Sequence, residues 1–457
     1  MTVQVQVVIL AAGAGKRMCS TLPKVLHSLA GVPLLERVIA LARKIAPNEV
    51  PMVVCGHERH VLQAKLHDEV RWITQAEPLG TGHAVLQALP AIPDDHYVLV
   101  LYGDVPLTSE ATLEKLIETT PKEKSLGMLT AMLAQPQGYG RIKREKQRIV
   151  AVVEERDATE KERAIHEINS GIYFCQAAYL KKWLPRLDKQ NAQNEYYLTD
   201  IVALAVKDGV VVHDVKPAVV EEILGVNDKV QLAFLERFYQ RQQAENLLRQ
   251  GVTLLDPARF DLRGILQVGK DITIDVNVIL EGQVVLGDGC TIGPNCLIRD
   301  AVLGDRVMVK ANSVIDGAMV ANDAEIGPFA RLRPGTRLAE HTHIGNFVEI
   351  KKSVLGEGTK VNHLSYVGDS EIGRRVNVGA GVITCNYDGV NKFKTTIGDG
   401  AFIGSCSQLV APITVGEGAT IGAGSTITQD APAHQLTLTR AEQRTIIEWQ
   451  RPVKESK

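Results

Sequence analysis

IGPFARLRPGTRLAEHTHIGNFVEI, residues 326–350, carries an aliphatic side chain at every sixth position. Ile326, Leu332, Leu338, Ile344 and Ile350 are separated by small and polar residues, and two of them precede glycine. A repeat of six residues is typical of a β-helix solenoid, in which each hexad forms one short flat side and points its aliphatic residue inward. Three sides close one coil, and successive coils stack about 4.8 Å apart.

The same period extends over most of the chain beyond about residue 262. Before the quoted stretch the repeating positions are Val268, Ile274, Leu280, Leu286, Ile292 and Ile298, and after it they are Ile397, Ile403, Leu409, Val415, Ile421 and Ile427. Solenoids with six-residue repeats resemble left-handed helices, an exception to the usual right-handed crossover. We therefore expect a left-handed parallel β-helix of hexapeptide repeats in this part of the chain.

The N-terminal half has a different rhythm, in which buried strands alternate with helices. Residues 7–10 and 52–55 form continuous apolar runs, a helical pattern fills 33–46, and a further strand is expected over 97–104. Thr81 is a candidate N-cap for another helix. This pattern predicts an α/β domain with a Rossmann-like, mostly parallel sheet, which binds ligands at the carboxyl ends of its strands.

A single amphipathic helix is predicted between the two halves, with Asp228 as its cap and Gly251 at its end. We read it as a rigid connector. The sequence therefore predicts three segments: an α/β domain over 1–228, a linker helix over 229–249 and a hexapeptide-repeat domain over 250–457.

Composition excludes several classes of function. The chain has 457 residues, 45% of them hydrophobic and 23% charged, and a formal net charge of -2, so no nucleic-acid-binding surface is indicated. No apolar run approaches the roughly 20 residues that span a bilayer. The seven cysteines show no paired spacing, which predicts reduced thiols and a cytoplasmic protein. With the charge balance and the lack of a long apolar run, we expect neither membrane nor nucleic-acid binding.

A glycine-containing loop follows the first predicted strand, in LAAGAGKRM (10–18), and LPK (22–24) comes shortly after. Gly13 and Gly15 would let backbone N–H groups approach phosphate oxygens closely, and Lys16, Arg17 and Lys24 add positive charge. From the residues alone, a glycine loop of this kind is equally compatible with a tight turn.

The whole string resembles the sugar-1-phosphate nucleotidylyltransferases, whose signature reads L-A-x-G-x-G-T-R-M followed by P-K. The segments QAEPLGTGHA (75–84), YGDVP (102–106), GYG (138–140) and EINSG (167–171) agree with that family, whereas Lys16 replaces its usual Thr. The resemblance implies in-line attack of a sugar-1-phosphate on a nucleoside triphosphate, with Arg17 and Lys24 on the phosphates and Mg²⁺ on Asp104 and Asn227. It implies nucleotide and sugar contacts from Leu10, Ala11, Ala12, Gly13, Lys24, Gln75, Gly80, Thr81, Tyr102, Gly103, Asp104, Gly140, Glu154, Asn169 and Asn227. Read without the resemblance, Asp104 could be a strand-end turn residue and Asn227 a helix-start residue.

A second site is indicated in the solenoid. Arg333 and Lys351 follow inward residues that lie three hexads apart, so we expect them to stack on one face of adjacent coils. Two cations about 5 Å apart repel each other, which favours a bound phosphate between them, although both side chains could simply reach into solvent. His363 is predicted on the next coil, where it could accept a proton from an ammonium substrate, and Glu349 is a candidate to orient its ring.

The segments RLRPGTRL (331–338), GNFVEIKK (345–352), NHLSYVGD (362–369) and GSCSQLVAP (404–412) extend the resemblance over essentially the whole chain. They resemble the bacterial bifunctional enzymes that join an N-acetylglucosamine-1-phosphate uridylyltransferase to a glucosamine-1-phosphate acetyltransferase. The resemblance implies acetyl transfer from acetyl-CoA with His363 as general base, coupling of N-acetylglucosamine-1-phosphate to UTP, and a homotrimer. It implies glucosamine-1-phosphate contacts from Arg333, Lys351, Tyr366 and Asn377, and acetyl-CoA contacts from Ala380, Asn386, Tyr387, Ser405, Ala423 and Arg440. TLTR (437–440) and Cys406 depart from the family pattern, and the segment 384–396 breaks the hexad rhythm as a projecting loop would.

Two alternatives remain at this point. In one, the protein is a single-function sugar-1-phosphate nucleotidylyltransferase whose β-helix is regulatory or builds oligomers. In the other, the solenoid binds zinc, as in hexad-repeat carbonic anhydrases, through His341, His343 and His363. The spacing of these histidines and the adjacent cation pair argue against the second alternative.

Overall fold

The computed structural model describes residues 4–13, 15–66 and 69–454. It divides into two compact units, Met1–Tyr239 and Gln240–Lys457. No helix among the described residues is both long enough and apolar enough to cross a membrane.

The first unit is an α/β fold built on a nine-stranded sheet. Its strands, with a separate short hairpin formed by β2 and β3, are β1 (Val5–Leu10), β2 (Ser28–Leu29), β3 (Val32–Pro33), β4 (Met52–Cys55), β5 (Arg71–Thr74), β6 (Tyr97–Tyr102), β7 (Ser125–Met132), β8 (Arg141–Glu145), β9 (Arg148–Val153), β10 (Glu167–Gln176) and β11 (Val211–Val215). The α-helices are α1 (Leu34–Ile45), α2 (Arg59–Lys65), α3 (Thr81–Ala88), α4 (Glu110–Thr119), α5 (Glu160–Arg163), α6 (Ala177–Trp183), α7 (Ile201–Lys207) and α8 (Lys229–Arg249).

The central path of the sheet runs β11-β7-β10-β6-β1-β4-β5, with β8 and β9 attached beside β10. Strand β1 is parallel to both β4 and β6, and all six of its residues are buried, as expected for a strand covered on both faces. Strand β10 is antiparallel to β6 and β7. The predicted mostly parallel, Rossmann-like sheet is therefore confirmed, with one reversed strand in its path.

The structure corrects one helix boundary. Helix α3 begins at Thr81, but its N-cap is Gly80, with φ of 110°. The Thr81 hydroxyl instead accepts a hydrogen bond from the Leu198 N–H at 3.1 Å. The prediction that Thr81 caps this helix was therefore wrong by one residue, because its hydroxyl is used to hold a segment more than a hundred residues away.

Helix α8 contains the boundary between the two units, which falls between Tyr239 and Gln240. Asp228 caps it, since its Oδ1 accepts a hydrogen bond from the Gln231 N–H at 2.8 Å. At the other end Gly251 adopts φ of 94°, a left-handed conformation that ends helices readily.

The second unit is a parallel β-helix with three faces, as predicted for the left-handed hexapeptide class. The first face comprises Thr253–Leu254, Thr273–Ile274, Thr291–Ile292, Met308–Val309, Glu325–Ile326, His343–Asn346, Lys360–His363, Asn377–Val378, Phe402–Ile403, Thr420–Ile421 and Leu436–Thr437. The second face comprises Val314–Asp316, Arg331–Leu332, Glu349–Lys351, Tyr366–Gly368, Ile383–Cys385, Gln408–Val410 and Thr426–Ile427. The third face comprises Met319–Val320, Arg337–Leu338, Val354–Leu355, Ser370–Ile372, Thr395–Ile397 and Ile413–Val415.

Three longer strands, Phe260–Val268, Val278–Leu286 and Leu297–Leu303, pair with one another and join the second face to the third in the first coils. The aliphatic residues at the hexad positions are buried in one continuous core, apart from Val268, which is partly buried at its edge. The hexad prediction is thus confirmed, because the repeating position points inward and removes its aliphatic side chain from water.

Candidate active sites

A cleft of about 400 Å³ opens at the carboxyl ends of β1 and β6 in the first unit. Ten residues predicted to bind nucleotide line it: Leu10, Ala11, Ala12, Gly13, Lys24, Gln75, Gly80, Thr81, Tyr102 and Asp104. Val25, Pro78, Ala84 and Glu195 also line the cleft and were missed by the sequence reasoning. Pro78 lies inside a segment that had been singled out, but nothing in the sequence pointed to Glu195.

The glycine loop forms the rim of a second, smaller cavity of about 240 Å³ beside the cleft. Gly13, Gly15, Lys16, Arg17, Lys24 and Asn227 line it. Gly15 has φ of 56°, and a Cβ at this position would lie 2.7 Å from the Lys24 Cβ, so only glycine allows this approach. Ala14 lies outside the described residues. Three cationic side chains therefore surround one small cavity, which suits an anionic ligand such as a polyphosphate.

The carboxylate of Asp104 and the amide oxygen of Asn227 converge on one nitrogen, the Nζ of Lys24. Lys24 donates to Asp104 Oδ2 in a close ion pair and lies 3.3 Å from Asn227 Oδ1. An ammonium group already occupies the point that both oxygens face, so this position is built to hold positive charge. Oxygen donors of these two kinds are the ligands that Mg²⁺ prefers, and the predicted metal residues therefore fit the ion.

Gln75 and Gly80, two of the predicted nucleotide-binding residues, are held by contacts close by in the fold. Gln75 Nε2 donates to the Gly80 carbonyl oxygen at 3.0 Å and lies 3.1 Å from His83 Nδ1. A Cβ at Gly80 would lie 2.8 Å from the backbone nitrogen of Tyr196, which excludes larger residues. Gly103, also predicted here, donates its N–H to the Leu10 carbonyl oxygen at 2.9 Å and so ties β6 to β1 without lining the cleft.

The predicted sugar-binding residues lie together at the end of β8, β9 and β10. The Asn169 N–H donates to the Gly140 carbonyl oxygen at 2.9 Å, and a Cβ at Gly140 would lie 3.6 Å from Glu154 Oε1. Burial raises the pKa of Glu154, although the Thr199 hydroxyl donates to its Oε1 at 2.9 Å. Burial also raises the pKa of Tyr102, with the Glu154 charge as a further cause, so the cleft and this cluster are neighbours.

In the second unit, Arg333 and Lys351 occupy matching positions on adjacent coils. The second-face strands pair Arg331 with Glu349 and Leu332 with Ile350, and the Arg333 N–H donates to the Ile350 carbonyl oxygen at 2.9 Å. The predicted backbone register of the two residues on adjacent coils of one face is therefore confirmed, whereas a phosphate between their side chains stays a prediction. The Arg333 guanidinium also contacts Glu349, with Nη1 to Oε1 at 2.8 Å.

His363 lies at the corner between the first and second faces, with its side chain exposed. Its Nδ1 is 2.9 Å from Oδ1 of Asn346, the residue that the register places directly beneath it. Glu349 is occupied by Arg333, so the prediction that Glu349 orients His363 was wrong. Asn346 contacts the ring instead. The sequence could have indicated it, because Asn346 lies 17 residues, or one coil, before His363.

Several predicted acetyl-CoA residues form one ladder above His363. The register pairs Val361 with Val378, Val378 with Ile403 and Ile403 with Ile421, so the positions two residues on, His363, Ala380, Ser405 and Ala423, stack in the same order. Arg440 lies at the end of this ladder, where its Cδ would be 3.9 Å from a Cβ at Gly424. Ser405, Ala423 and Arg440 are exposed, so the ladder presents an open strip along the solenoid.

The remaining predicted residues divide between two faces. Tyr366 follows Glu349 on the second face, and its hydroxyl lies against Gly368, the register partner of Lys351. Asn386 is buried and donates to Asp369, whereas Tyr387 is exposed. Asn377 lies on the first face between Lys360 and Phe402, so the structure does not bring it together with Arg333 and Lys351 in one chain.

Comparison with known proteins agrees with both halves. MobA-like NTP transferase domains match residues 7–167, the C-terminal domain of GMPPB matches 262–342, and the bacterial transferase hexapeptide family (six repeats) matches 394–429. The bifunctional protein GlmU of Marinobacter nauticus is 56% identical over 98% of this chain and 99% of its own length, and that of Acinetobacter baumannii (strain AYE) is 54% identical over 98% of each. The chain belongs to the GlmU family. A solved structure, a putative glucose-1-phosphate thymidylyltransferase from Bacillus anthracis in complex with a sucrose, covers 51% of this chain and 94% of its own, with 18% identity and a TM-score of 0.41.

Membership of the GlmU family bears on both alternatives. Relatives that match the full length of the chain are named bifunctional, which supports two activities and not the single-function alternative. The three histidines of the zinc alternative do not converge, since His343 faces Glu325 at 3.4 Å and His363 faces Asn346. Within residues 4–13, 15–66 and 69–454, no group of three His, Cys, Asp or Glu side chains could hold a metal ion.

Proposed function

We propose that this protein, as a bifunctional member of the GlmU family, makes UDP-N-acetylglucosamine in two steps. The second unit acetylates glucosamine-1-phosphate from acetyl-CoA, and the first unit then couples N-acetylglucosamine-1-phosphate to UTP and releases pyrophosphate. The observation that carries this proposal is that each unit has its own group of cationic residues, Arg17 and Lys24 at the cleft and Arg333 and Lys351 at matching positions of adjacent coils. A single-function nucleotidylyltransferase would have no need of the second cluster or of the histidine beside it.

Uridylyl transfer is assigned to the cleft of the first unit. The phosphate oxygen of the sugar phosphate is already an anion, so no general base is required, and the barrier is charge repulsion and misalignment. Arg17 and Lys24 would hold the phosphates, Gln75 and Gly80 the base, and Glu154 and Asn169 the sugar. The backbone of Leu10–Gly13, with Thr81, Tyr102 and Gly140, would complete the walls around the two substrates.

Asp104 and Asn227 would hold Mg²⁺, which neutralises charge on the phosphates when bound. Support comes from the convergence of their oxygens on the Lys24 ammonium. Lys24 would have to leave Asp104 when the cation enters, and the neighbouring phosphate site at Gly13 and Arg17 offers its ammonium a new anionic partner.

Acetyl transfer is assigned to the corner at His363. Asn346 accepts from Nδ1–H and so leaves Nε2 free to take a proton from the amine of glucosamine-1-phosphate as nitrogen attacks the thioester carbonyl. The C–S bond then breaks, and the CoA sulfur leaves with the proton returned from Nε2. Arg333, Lys351 and Tyr366 would bind the sugar phosphate. The ladder of Ala380, Ser405 and Ala423, with Asn386, Tyr387 and Arg440, would bind acetyl-CoA, and Asn377 would reach the sugar from its own face or from a neighbouring subunit.

A homotrimer is part of this proposal, and an exposed apolar edge supports it. Phe329, Phe347 and Leu364 have φ of 55°, 56° and 48° and are 50%, 55% and 62% exposed. Bulky residues are strained in this conformation, each by about 1 kcal/mol, and exposure of their apolar surface is a further cost. Leu364 directly follows His363, so a second copy packed on this edge would cover the apolar side chains and enclose the catalytic corner.

The functional segments are proposed as 1–228 for uridylyl transfer, 229–249 as the linker helix and 250–457 for acetyl transfer. We place both reactions in the cytoplasm, and cell fractionation tests that location.

Paired assays of the two half-reactions test the proposed function. His363→Ala should abolish thiol release from acetyl-CoA with glucosamine-1-phosphate and leave uridylyl transfer intact, whereas Asp104→Ala should have the reverse effect. Loss of both activities in either folded variant would contradict the assignment of one reaction to each unit.

A further inference from the structure

Arg141, the first residue of β8, is a charged side chain that is only 1% exposed. It does not line the cleft, and no role was predicted for it. Its backbone pairs with Val153 of β9 on one side and with Ile168 of β10 on the other. The guanidinium therefore lies inside the first unit, near the end of β9 that precedes Glu154 and near Asn169 on β10.

The contacts of Arg141 are directed at the loop 138–140 that precedes it. Its Nη1 donates to the Tyr139 carbonyl oxygen, and its Nη2 donates to Glu155 Oε2 at 2.7 Å. The same Glu155 oxygen accepts from the Gly138 N–H at 3.1 Å. Glu155 thus binds the Gly138 N–H and Arg141 binds the Tyr139 carbonyl oxygen. Because the two side chains also bind each other, the hydrogen bonds form a closed ring around the loop.

This loop sets the position of Gly140, which receives the Asn169 N–H and lies beside Glu154. Gly138 has φ of 85°, a conformation that glycine adopts without strain but that relaxes readily when nothing fixes it. The Tyr139 side chain is partly buried against the core of the first unit, which anchors the same loop, and burial raises the pKa of its hydroxyl. Movement of the loop would therefore shift the proposed sugar contacts at Asn169 and Glu154.

Stability alone gives little reason for a buried guanidinium here. Replacing a buried ion pair by apolar side chains of similar volume is often neutral or stabilising. What an apolar residue cannot do is donate to a backbone carbonyl and a carboxylate at the same time from one rigid plane. The bidentate geometry of arginine matches the requirement for a fixed loop.

We infer that Arg141, through its ion pair with Glu155, is a positioning residue that fixes the loop 138–140 for sugar-1-phosphate binding in uridylyl transfer. This inference rests on the proposed function of the first unit. It predicts that weakening the pair impairs binding of N-acetylglucosamine-1-phosphate and spares binding of UTP, because the base and phosphates of UTP are assigned to Gln75, Gly80, Arg17 and Lys24 and not to this loop.

Arg141→Lys tests the inference in the full-length chain, because a lysine keeps the charge but its single nitrogen cannot hold both partners in the same plane. We expect the KM for N-acetylglucosamine-1-phosphate to rise about tenfold or more, since small misplacements of binding groups have large kinetic effects. The KM for UTP and the midpoint of thermal unfolding of the first unit should change little. Arg144→Lys is the matched control on the same strand, because Arg144 pairs with Glu167 and Asp214, away from the loop.

A second variant decides the outcome if Arg141→Lys does not fold. Glu155→Gln keeps the shape of the side chain, removes its charge and lies at a position that is 29% exposed, and it should raise the KM for the sugar phosphate in the same direction. An unchanged KM for the sugar phosphate in the folded variants, or an equal rise in both substrate KM values, would overturn the inference. Failure of the wild-type chain to transfer uridylyl groups at all would instead overturn the proposed function.

Discussion

Replacing Lys24 by methionine should tighten divalent-cation binding in the absence of nucleotide. The Lys24 ammonium occupies the point on which Asp104 and Asn227 converge, so a cation held by those oxygens must displace it. The Lys24 and Asp104 side chains are only 13% and 16% exposed, so their attraction is weakly screened. A hydrogen bond between charged groups contributes about 1.5–3 kcal/mol, and removal of this competitor should lower the cation dissociation constant about tenfold to 150-fold.

Mn²⁺ provides the measurement, because the free ion can be followed directly by electron paramagnetic resonance during a titration. The matched control is Lys16→Met, which removes the same charge from the same small cavity without touching Asp104. Uridylyl transfer by Lys24→Met should fall, since the same ammonium is proposed to bind phosphate. Cation affinity and turnover should therefore move in opposite directions in this variant.

Two results would refute this reasoning. Unchanged or weaker Mn²⁺ binding by Lys24→Met would show that the cation does not bind between Asp104 and Asn227. Equal tightening in Lys24→Met and Lys16→Met would show that the effect is a general change of charge and not the removal of a direct competitor.

Three further predictions concern both units. Asn346→Ala should lower the rate of acetyl transfer about tenfold by releasing the ring of His363, measured as kcat with both substrates saturating. Lys351→Ala should raise the KM for glucosamine-1-phosphate about tenfold, the loss of one charge-assisted contact, with a smaller effect on kcat. Asp200→Asn should raise the thermal midpoint of the first unit at pH 7.5, because burial raises the pKa of Asp200 to about 6 and its ionised form weakens the fold. That gain should shrink as the pH falls through 6, since the wild-type carboxyl then becomes protonated.

Each of these predictions has an outcome that would contradict it. Glu349→Gln should affect the KM for glucosamine-1-phosphate through Arg333 and not the rate constant, so a larger loss of kcat than in Asn346→Ala would restore Glu349 as the partner of His363. An unchanged KM in Lys351→Ala would remove the stacked cations from the sugar-phosphate site. A stability gain from Asp200→Asn that does not depend on pH would show that its charge is not the cause.

The six-residue period of the sequence was enough to predict the path of the backbone in the second unit. A period of six predicted the positions of the repeating aliphatic residues of the second unit, and these residues are buried because that position points inward. The same register predicted that Arg333 and Lys351 stack, since parallel coils repeat the backbone position of every residue. Short segments of sequence were also enough to predict the glycine loop after the first strand, Asp104 at a strand end and Asp228 as a helix cap.

Side-chain partners were decided only by the tertiary structure. Glu349 and Asn346 both lie within one coil of His363 in the sequence. In the fold, Glu349 binds the Arg333 guanidinium, and Asn346 contacts the His363 ring. Lys24 meets Asp104 and Asn227 across 80 and 203 residues, and Arg141 binds Glu155 in the interior of a hairpin. Periodicity fixes where a backbone runs and which way a residue faces, whereas the partner of a charged side chain depends on which opposite charge the folded chain brings within a few ångströms.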